Sequence, residues 1–365
     1  MAKQPVDYEK QLEHISEEFQ MVRILDEEGN VVNEDIMPDL SDDELVDLMK
    51  WMVKSRTLHE RSTAFSKQGR LGFYAPTYGQ EASQMASIYA SEEGDWLYGG
   101  YRDLPQLIYK GLTYEQGFLW SRGHVNGNDA GVKAMMPQII IGAQLIQAVG
   151  NATGQKLKGE KNVTFTYTGD GGSSQGDSYE AWNWASRYKS PVVFVIQNNG
   201  FAISTPRYKQ TAAHTLAQKA VAAGIPGIQV DGNDALAVYA VTKQAREWAA
   251  AGNGPVLIET VTNRLGAHST QGDNPKLYRT QEDIDMWMAR EPLIRFRAYL
   301  ENKGLWNEKM EEEWVAEVTE DINQAIKDAE AQPKQKVSDF LKSMFANPGQ
   351  NIKEQIEQYE AKERE

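Results

Sequence analysis

The chain has 365 residues, 41% of them hydrophobic, enough to bury a large core as one large domain or as two of roughly 150 residues each. Its 52 acidic residues outnumber the 38 basic ones, and a formal charge of −14 gives no reason to expect nucleic acid or an anionic membrane as a partner. There is no cysteine, which removes disulfides, thiolate metal sites and thiol nucleophiles, and the histidines (14, 59, 124, 214 and 268) are too scattered for a zinc spacing.

In chain order, residues 1–40 read as an N-terminal arm. Its first 20 residues include Asp7, Glu9, Glu13, Glu17 and Glu18, unlike a secretory signal or a transit peptide, so a cytoplasmic protein is expected. "RILDEEGNVV" predicts two short strands around an acidic turn at Glu28–Asn30. Ser41 followed by Glu44 is a capping box, and Leu45, Leu48, Met49 and Met52 mark one face of the helix it opens. A Gly-, Tyr- and Pro-rich loop fills 69–80. "GQEASQMASIYA" resumes a helix, "GDWLYGGYRDLPQLIYKG" reads as a turn and a short helix, and 121–138 reads as irregular. "IIIGAQLIQAVGNATGQKL" predicts a helix whose small residues, Gly150 and Gly154 among them, suit a close internal or subunit contact. Its apolar run, Ile139–Val149, is broken by Gln144 and Gln147 and is too short to span a bilayer.

The middle of the chain alternates strand and helix. "NVTFTYT", "PVVFVIQNN", "GIQVDG" and "PVLIETVTN" read as strands, with "DSYEAWNWASRY" and "DALAVYAVTKQAREWAAA" as helices. The fold class expected is therefore α/β, a parallel sheet covered by helices on both faces, with ligands beyond the carboxyl ends of its strands. Residues 41–280 form the expected ligand-binding domain and 281–365 a charged, helical C-terminal extension.

"TYTGDGGSSQGDS" (166–178) combines two features that conflict. Gly169, Gly171 and Gly172 suit a loop that meets phosphate, yet Asp170 stands among them. A carboxylate about 4 Å from a phosphate oxygen repels it by roughly 4 kcal/mol at intermediate dielectric. A helix N-terminus returns only about 0.3–1 kcal/mol, about 2 at best. A divalent cation turns the repulsion into a bridge. Twenty-nine residues later the next strand ends at Asn198–Asn199, on the same edge of a parallel sheet. One carboxylate, one amide oxygen and a backbone carbonyl near Gly200–Phe201, with phosphate oxygens and water, would complete an octahedron around magnesium. Asp-Gly and Asn-Asn are each common turn pairs, so the joint pattern carries the inference.

The segment "GDGGSSQGDSYEAWNWASRYKSPVVFVIQNN" resembles the thiamine-diphosphate motif, G-D-G to N-N. "RLGFYAPTYGQEA", "YGGYRDLPQ", "QIIIGAQ", "NGFAISTP" and "AHSTQGDNPKLYR" extend the resemblance over roughly 20–345 to the alpha subunits of the decarboxylating component of 2-oxo-acid dehydrogenase complexes. The resemblance implies thiamine diphosphate and Mg2+ as cofactors in a thiamine-diphosphate-binding fold. Asp170, Asn199 and the Phe201 carbonyl would bind the metal, with Gly169, Gly171 and Gly172 at the diphosphate. Arg102 and Tyr101 would hold a phosphate. Taken alone they would be an ordinary surface pair. Backbone contacts to the aminopyrimidine ring fall to Ile139 and Ile141, whose side chains read as core, and His268 matches a histidine in a loop over the cofactor. Segments 203–212 and 263–280 read as gates. Ser269 stands where animal relatives are phosphorylated, and that regulation is not carried over. Some relatives have a histidine where this chain has Ala75, so the resemblance does not carry that histidine's substrate role over to this chain. The implied partners are a beta subunit, as two alpha and two beta chains, and a lipoyl-bearing dihydrolipoyl acyltransferase. "GQEA" leans towards pyruvate over branched-chain substrates. The rivals are a branched-chain 2-oxo-acid or acetoin dehydrogenase alpha subunit and, from another class, a non-enzymatic nucleotide-binding protein.

Overall fold

The computed structural model describes residue 10 and residues 18–129 and 131–364. Its centre is a six-stranded sheet: β1 (Trp96–Gly100), β2 (Ala134–Gln138), β3 (Thr164–Gly169), β4 (Val192–Asn198), β5 (Gly227–Asp231) and β6 (Val256–Val261). The spatial order is β2-β1-β3-β4-β6-β5, and every pairing is parallel. Buried on both faces, β4 is a near-continuous apolar run rather than an alternating one. Val192, Phe194 and Ile196 pack on one side with Leu145, Val149 and Trp182 of helices Ala143–Leu157 and Gly176–Tyr188. Val193 and Val195 belong to the larger core on the other side, with helices Glu81–Tyr89 and Ala235–Ala250 and, behind them, Asp42–Lys67, Pro292–Asn302 and Glu308–Ala331. The expected layering is thus observed. The helical tail from 281 on shares that larger core through Phe296, Val318, Ile322 and Ile326.

The Ser41–Glu44 capping box forms in full, and Leu45, Leu48, Met49 and Met52 are buried as predicted. Four local expectations change. The arm makes no pair of strands: single bridges join Leu25 to Val31 and Val22 to Val230, while the acidic turn closes through the Asn30 N–H on Asp26 Oδ1 at 2.7 Å. Residues 1–9 and 11–17 of the arm lie outside the described residues. Trp96–Gly100, expected as a turn, is a strand between β2 and β3. Its two glycines and five-residue length hide it from propensity. Ala134–Gln138, within the stretch expected to be irregular, is the edge strand, where Pro137 is tolerated because an edge leaves some N–H positions unused. The helix expected from Ile139 begins at Ala143, because Gly142 has φ +91°, a left-handed conformation that an α-helix cannot continue through.

The order of the sheet turns back at β1, with β2 on one side and β3 on the other. Such a reversal opens a crevice beyond the carboxyl ends of the strands. No helix among the described residues is long and apolar enough to cross a membrane.

Candidate functional site

A cleft of about 240 Å³ opens at that edge of the sheet. Its walls come from the turns after β1, β3 and β4 and from the loop carrying Arg264 and His268. Tyr101, Arg102, Ile141, Gly169, Asp170, Gly171, Gly172, Asn199, Phe201 and His268 all line it, as the sequence led us to expect. Ile139 does not: it is 60% exposed, so the expectation of a core side chain fails there. The reason is the late helix start, which leaves 139–141 as an approach to the helix rather than its first turn.

The loop after β3 is shaped by close approach. A Cβ on Gly171 would stand 2.7 Å from the Ala202 Cβ, and one on Gly172 would stand 2.0 Å from Thr168 Oγ1 and 3.1 Å from Ile141 Cγ2. Gly169 has more room, its nearest neighbour being 4.0 Å away. Ser173 Oγ donates to Asp170 O and Ser178 Oγ to Gly172 O, each at 2.7 Å, which ties the loop down. Helix Gly176–Tyr188 follows with no side-chain cap; its Ser178 amide turns back on Gln175 O at 3.2 Å, which leaves the Gly176 and Asp177 amides for an anion. From behind, the buried Lys219 donates to Ser173 O at 2.8 Å and to Ser173 Oγ at 2.9 Å. Burial lowers its amine to about 8, against the pull of Glu259 and Asp170.

Asp170 is 2% exposed, and Gln210 Nε2 donates to its Oδ2 at 2.6 Å. Burial pushes its carboxyl above the usual range, and the Gln210 hydrogen bond pulls it back. An amide N–H is a weak substitute for a full positive charge beside a buried carboxylate. Asn199 stands across from it at the end of β4, donating from Nδ2 to Gln80 Oε1 at 3.0 Å. Among the described residues no three His, Cys, Asp or Glu side chains gather as a metal site, so a cation here would lean on Asp170, amide or carbonyl oxygens and its ligand.

Arg102 is not the surface residue its local sequence suggests; it is 9% exposed. It donates to Pro76 O at 2.5 Å, His268 O at 3.0 Å and His268 Nδ1 at 3.2 Å. None of these acceptors is charged, and burial lowers the guanidinium's pKa. Arg264, which the sequence reading missed, is 2% exposed and donates to Ile203 O at 2.8 Å and the Tyr278 hydroxyl at 2.9 Å. Two buried guanidiniums on neutral acceptors make the cleft attractive to an anion. His268 is held by the bond from its backbone N–H to Asp273 Oδ2 at 2.6 Å and by edge contact of its ring with Tyr101. Burial, then Arg102 and Arg264, lowers its imidazole to about 4. Because Arg102 can only donate, His268 Nδ1 accepts, which puts the ring proton of the neutral form on Nε2. At the rim, Ile203 has φ +57° and is 56% exposed, a strained conformation for a β-branched residue.

The sequence reading also passed over Gln80, Asp103, Gln144, Gln175 and Gln197, all of which line the cleft. A glutamine has no local signature.

The profile of the dehydrogenase E1 component family matches residues 49–338. The chain belongs to that family. An E1-family protein of Staphylococcus aureus, the "Pyruvate dehydrogenase E1 component subunit alpha", is 57% identical over 98% of this chain and 97% of its own length. The protein of the same name from Staphylococcus epidermidis is likewise 57% identical, with the same coverage. The resemblance drawn from the motifs therefore holds across nearly the whole chain, well past the E1 profile's own limits.

Proposed function

We propose that this chain is the diphosphate-side, alpha subunit of a thiamine-diphosphate- and Mg2+-dependent pyruvate dehydrogenase, acting in the cytoplasm. It would decarboxylate pyruvate and pass the two-carbon unit to a lipoyl group on a dihydrolipoyl acyltransferase. One observation carries the reading: a buried carboxylate, an amide oxygen, an uncapped glycine loop and two buried guanidiniums with uncharged partners meet in one cleft at the carboxyl edge of the sheet. The set fits a cation-bound diphosphate and fits a bare dinucleotide poorly, because Asp170 would face the phosphates. The 57% identity to the two staphylococcal alpha subunits supports pyruvate over branched-chain 2-oxo acids or acetoin.

Asp170 and Asn199 would hold the cation with the Phe201 carbonyl, and Gly171, Gly172 and the first amides of helix Gly176–Tyr188 would meet the diphosphate. Arg102 and Arg264 would neutralise it, and Tyr101 would add a hydroxyl. Ile139 and Ile141 would offer backbone groups to the pyrimidine end. When bound, thiamine diphosphate would supply a nucleophilic carbon for the 2-oxo group and a sink for the electron pair left behind when carbon dioxide departs. With its proton on Nε2, His268 would be able to donate a hydrogen bond within the cleft. Segments 203–212 and 263–280 would shield the site, the second through Asp273 and Tyr278. A separate beta chain would complete the site.

The test combines binding with turnover. With a beta chain present, calorimetry should find thiamine diphosphate binding that depends on magnesium, and Asp170→Ala should weaken it at least about a hundredfold, since a charged ligand on a buried cation is lost. Pyruvate should be decarboxylated in preference to branched-chain 2-oxo acids with an artificial electron acceptor. Binding of ATP or NAD instead would favour the nucleotide-binding reading, and unchanged affinity in Asp170→Ala would sink the metal assignment.

A further inference from the structure

Four buried side chains stand in a line along the wall of the cleft, and their hydrogen bonds run in one direction. Asp103 Oδ2 accepts from the Gly100 N–H at 2.7 Å, and its Oδ1 accepts from Gln197 Nε2 at 2.7 Å and Gln106 Nε2 at 3.0 Å. Gln197 Oε1 accepts from Gln80 Nε2 at 3.3 Å, and Gln80 Oε1 accepts from Asn199 Nδ2 at 3.0 Å. At the far end Asn199 Oδ1 accepts from the Phe201 N–H at 3.3 Å. None of Asp103, Gln197, Gln80 and Asn199 is more than 6% exposed.

A chain of amides has no inherent sense, because each can turn over and exchange oxygen for nitrogen. Here both ends are fixed. The carboxylate of Asp103 takes donors on both oxygens, and a backbone N–H at Phe201 can only donate. Turning any one amide between them would set donor against donor or acceptor against acceptor among side chains at most 6% exposed. The line crosses three elements: the turn after β1 that carries Arg102, the end of β4, and the loop ahead of helix Glu81–Tyr89. It therefore joins the anion side of the cleft to the cation side.

We propose that Asp103, Gln197 and Gln80 are positioning residues for the cation, a one-way relay that holds Asn199 Nδ2 inward and leaves an Oδ1 lone pair for the metal. This rests on Asn199 being a cation ligand, as proposed above. Asp103 sets the sense, Gln197 and Gln80 transmit it, and Asn199 delivers it. An Asn199 free to turn over would present an N–H to the cation in part of the population.

The experiment is a rescue. Gln80→Met removes the acceptor for Asn199 Nδ2 while nearly conserving volume. With the beta chain present, magnesium-dependent affinity for thiamine diphosphate should fall about tenfold, the usual scale for losing a group that orients a metal ligand. Asn199→Asp alone sets a carboxylate oxygen against Gln80 Oε1 and should also weaken binding. The two together should bind more tightly than either single variant, because aspartate offers oxygen whichever way it turns. Gln197→Met, one step further back, should behave like Gln80→Met if that variant folds poorly. A second arm uses the full chain without cofactor or metal. There Asn199→Asp should lower the melting temperature, and by less when Gln80 is already Met. Equal losses in both backgrounds would overturn the relay. Coupling in the cofactor-free chain without rescue of binding would overturn the role towards the cation. A wild-type protein whose thiamine diphosphate binding ignores magnesium would instead overturn the reading of Asn199 on which the relay depends.

Discussion

At the scale of single residues the site combines charges that are costly to bury with partners that do not neutralise them. Arg102 and Arg264 are bound to carbonyls, a hydroxyl and an imidazole, and Asp170 to an amide. Nearby, His59 stacks on Tyr78 with its Nδ1 unpartnered. Burial, and then Arg56 and Arg102, lowers its imidazole to about 3. The sign follows directly. A histidine depressed in the fold and ordinary in the unfolded chain lets only the unfolded state take up a proton below about pH 6.5. Stability from this group is therefore complete above about 6.5 and falls as the pH drops towards about 3, by at most about 1.4 kcal/mol per pH unit. We expect His59→Phe to flatten the decline in melting temperature between pH 7 and 4. Superimposable profiles for variant and wild type would show that His59 does not carry this limb. That Asp170 and Asn199 meet at one cleft was legible because both follow consecutive strands of a parallel sheet. The relay glutamines were not, because each becomes meaningful only through a partner at least 94 positions away, as in Gln197 to Asp103.

Among the elements, the proposed diphosphate site rests on the strand–loop–helix unit from β3 through Gly172 to helix Gly176–Tyr188. Strand β3 is buried along its length and fixed in register by β1 and β4, so the loop leaves it at a fixed point and height. Gly172 is needed there for space rather than for a left-handed turn, since a methyl group would overlap Thr168 Oγ1. We expect Gly172→Ala to cost about 1–3 kcal/mol of stability, the range for forced overpacking, and to weaken thiamine diphosphate binding as the loop amides shift. Denaturant unfolding and calorimetry measure the two effects. A variant that keeps both would mean that the loop can give way without losing its function. This unit was readable in the sequence because a β-branched strand, a glycine turn and an amphipathic helix follow one another without interruption. Strands β1 and β2 were not, because glycine, methionine and proline occupy them and only pairing with neighbours makes them strands.

Across the whole molecule, the described surface leaves large apolar side chains on two adjoining helices. Ile146 and Leu157 of Ala143–Leu157 and Trp184 and Tyr188 of Gly176–Tyr188 are 37–84% exposed, and Ile139 and Ile140 continue the patch beside the cleft. A Cβ added at Gly150 or Gly154 would meet nothing within 4 Å among the described residues, so their small-residue stripe is open to a subunit contact. Such a patch next to a half-open site fits the proposed beta chain. We expect Trp184→Glu to reduce assembly with the beta chain by about tenfold or more, since a buried aromatic anchor would be lost and a charge introduced. The melting temperature of the isolated chain should barely move. Sedimentation of the mixed chains gives the answer, and undiminished assembly would put the partner on another face.

What the sequence determined alone was whatever depends on neighbours along the chain: alternation of strand and helix, the Ser41 cap, and the spacing of Asp170 from Asn199 at the ends of consecutive parallel strands. What the tertiary structure decided was everything that depends on burial. It turned Arg102 from a surface charge into a buried cation, moved Ile139 out to solvent, and set two glutamines and an aspartate in line with Asn199. The physical reason is that propensity and periodicity act over a few residues, whereas desolvation and the sense of a hydrogen-bonded chain are set by whatever the fold brings against them from far away in sequence.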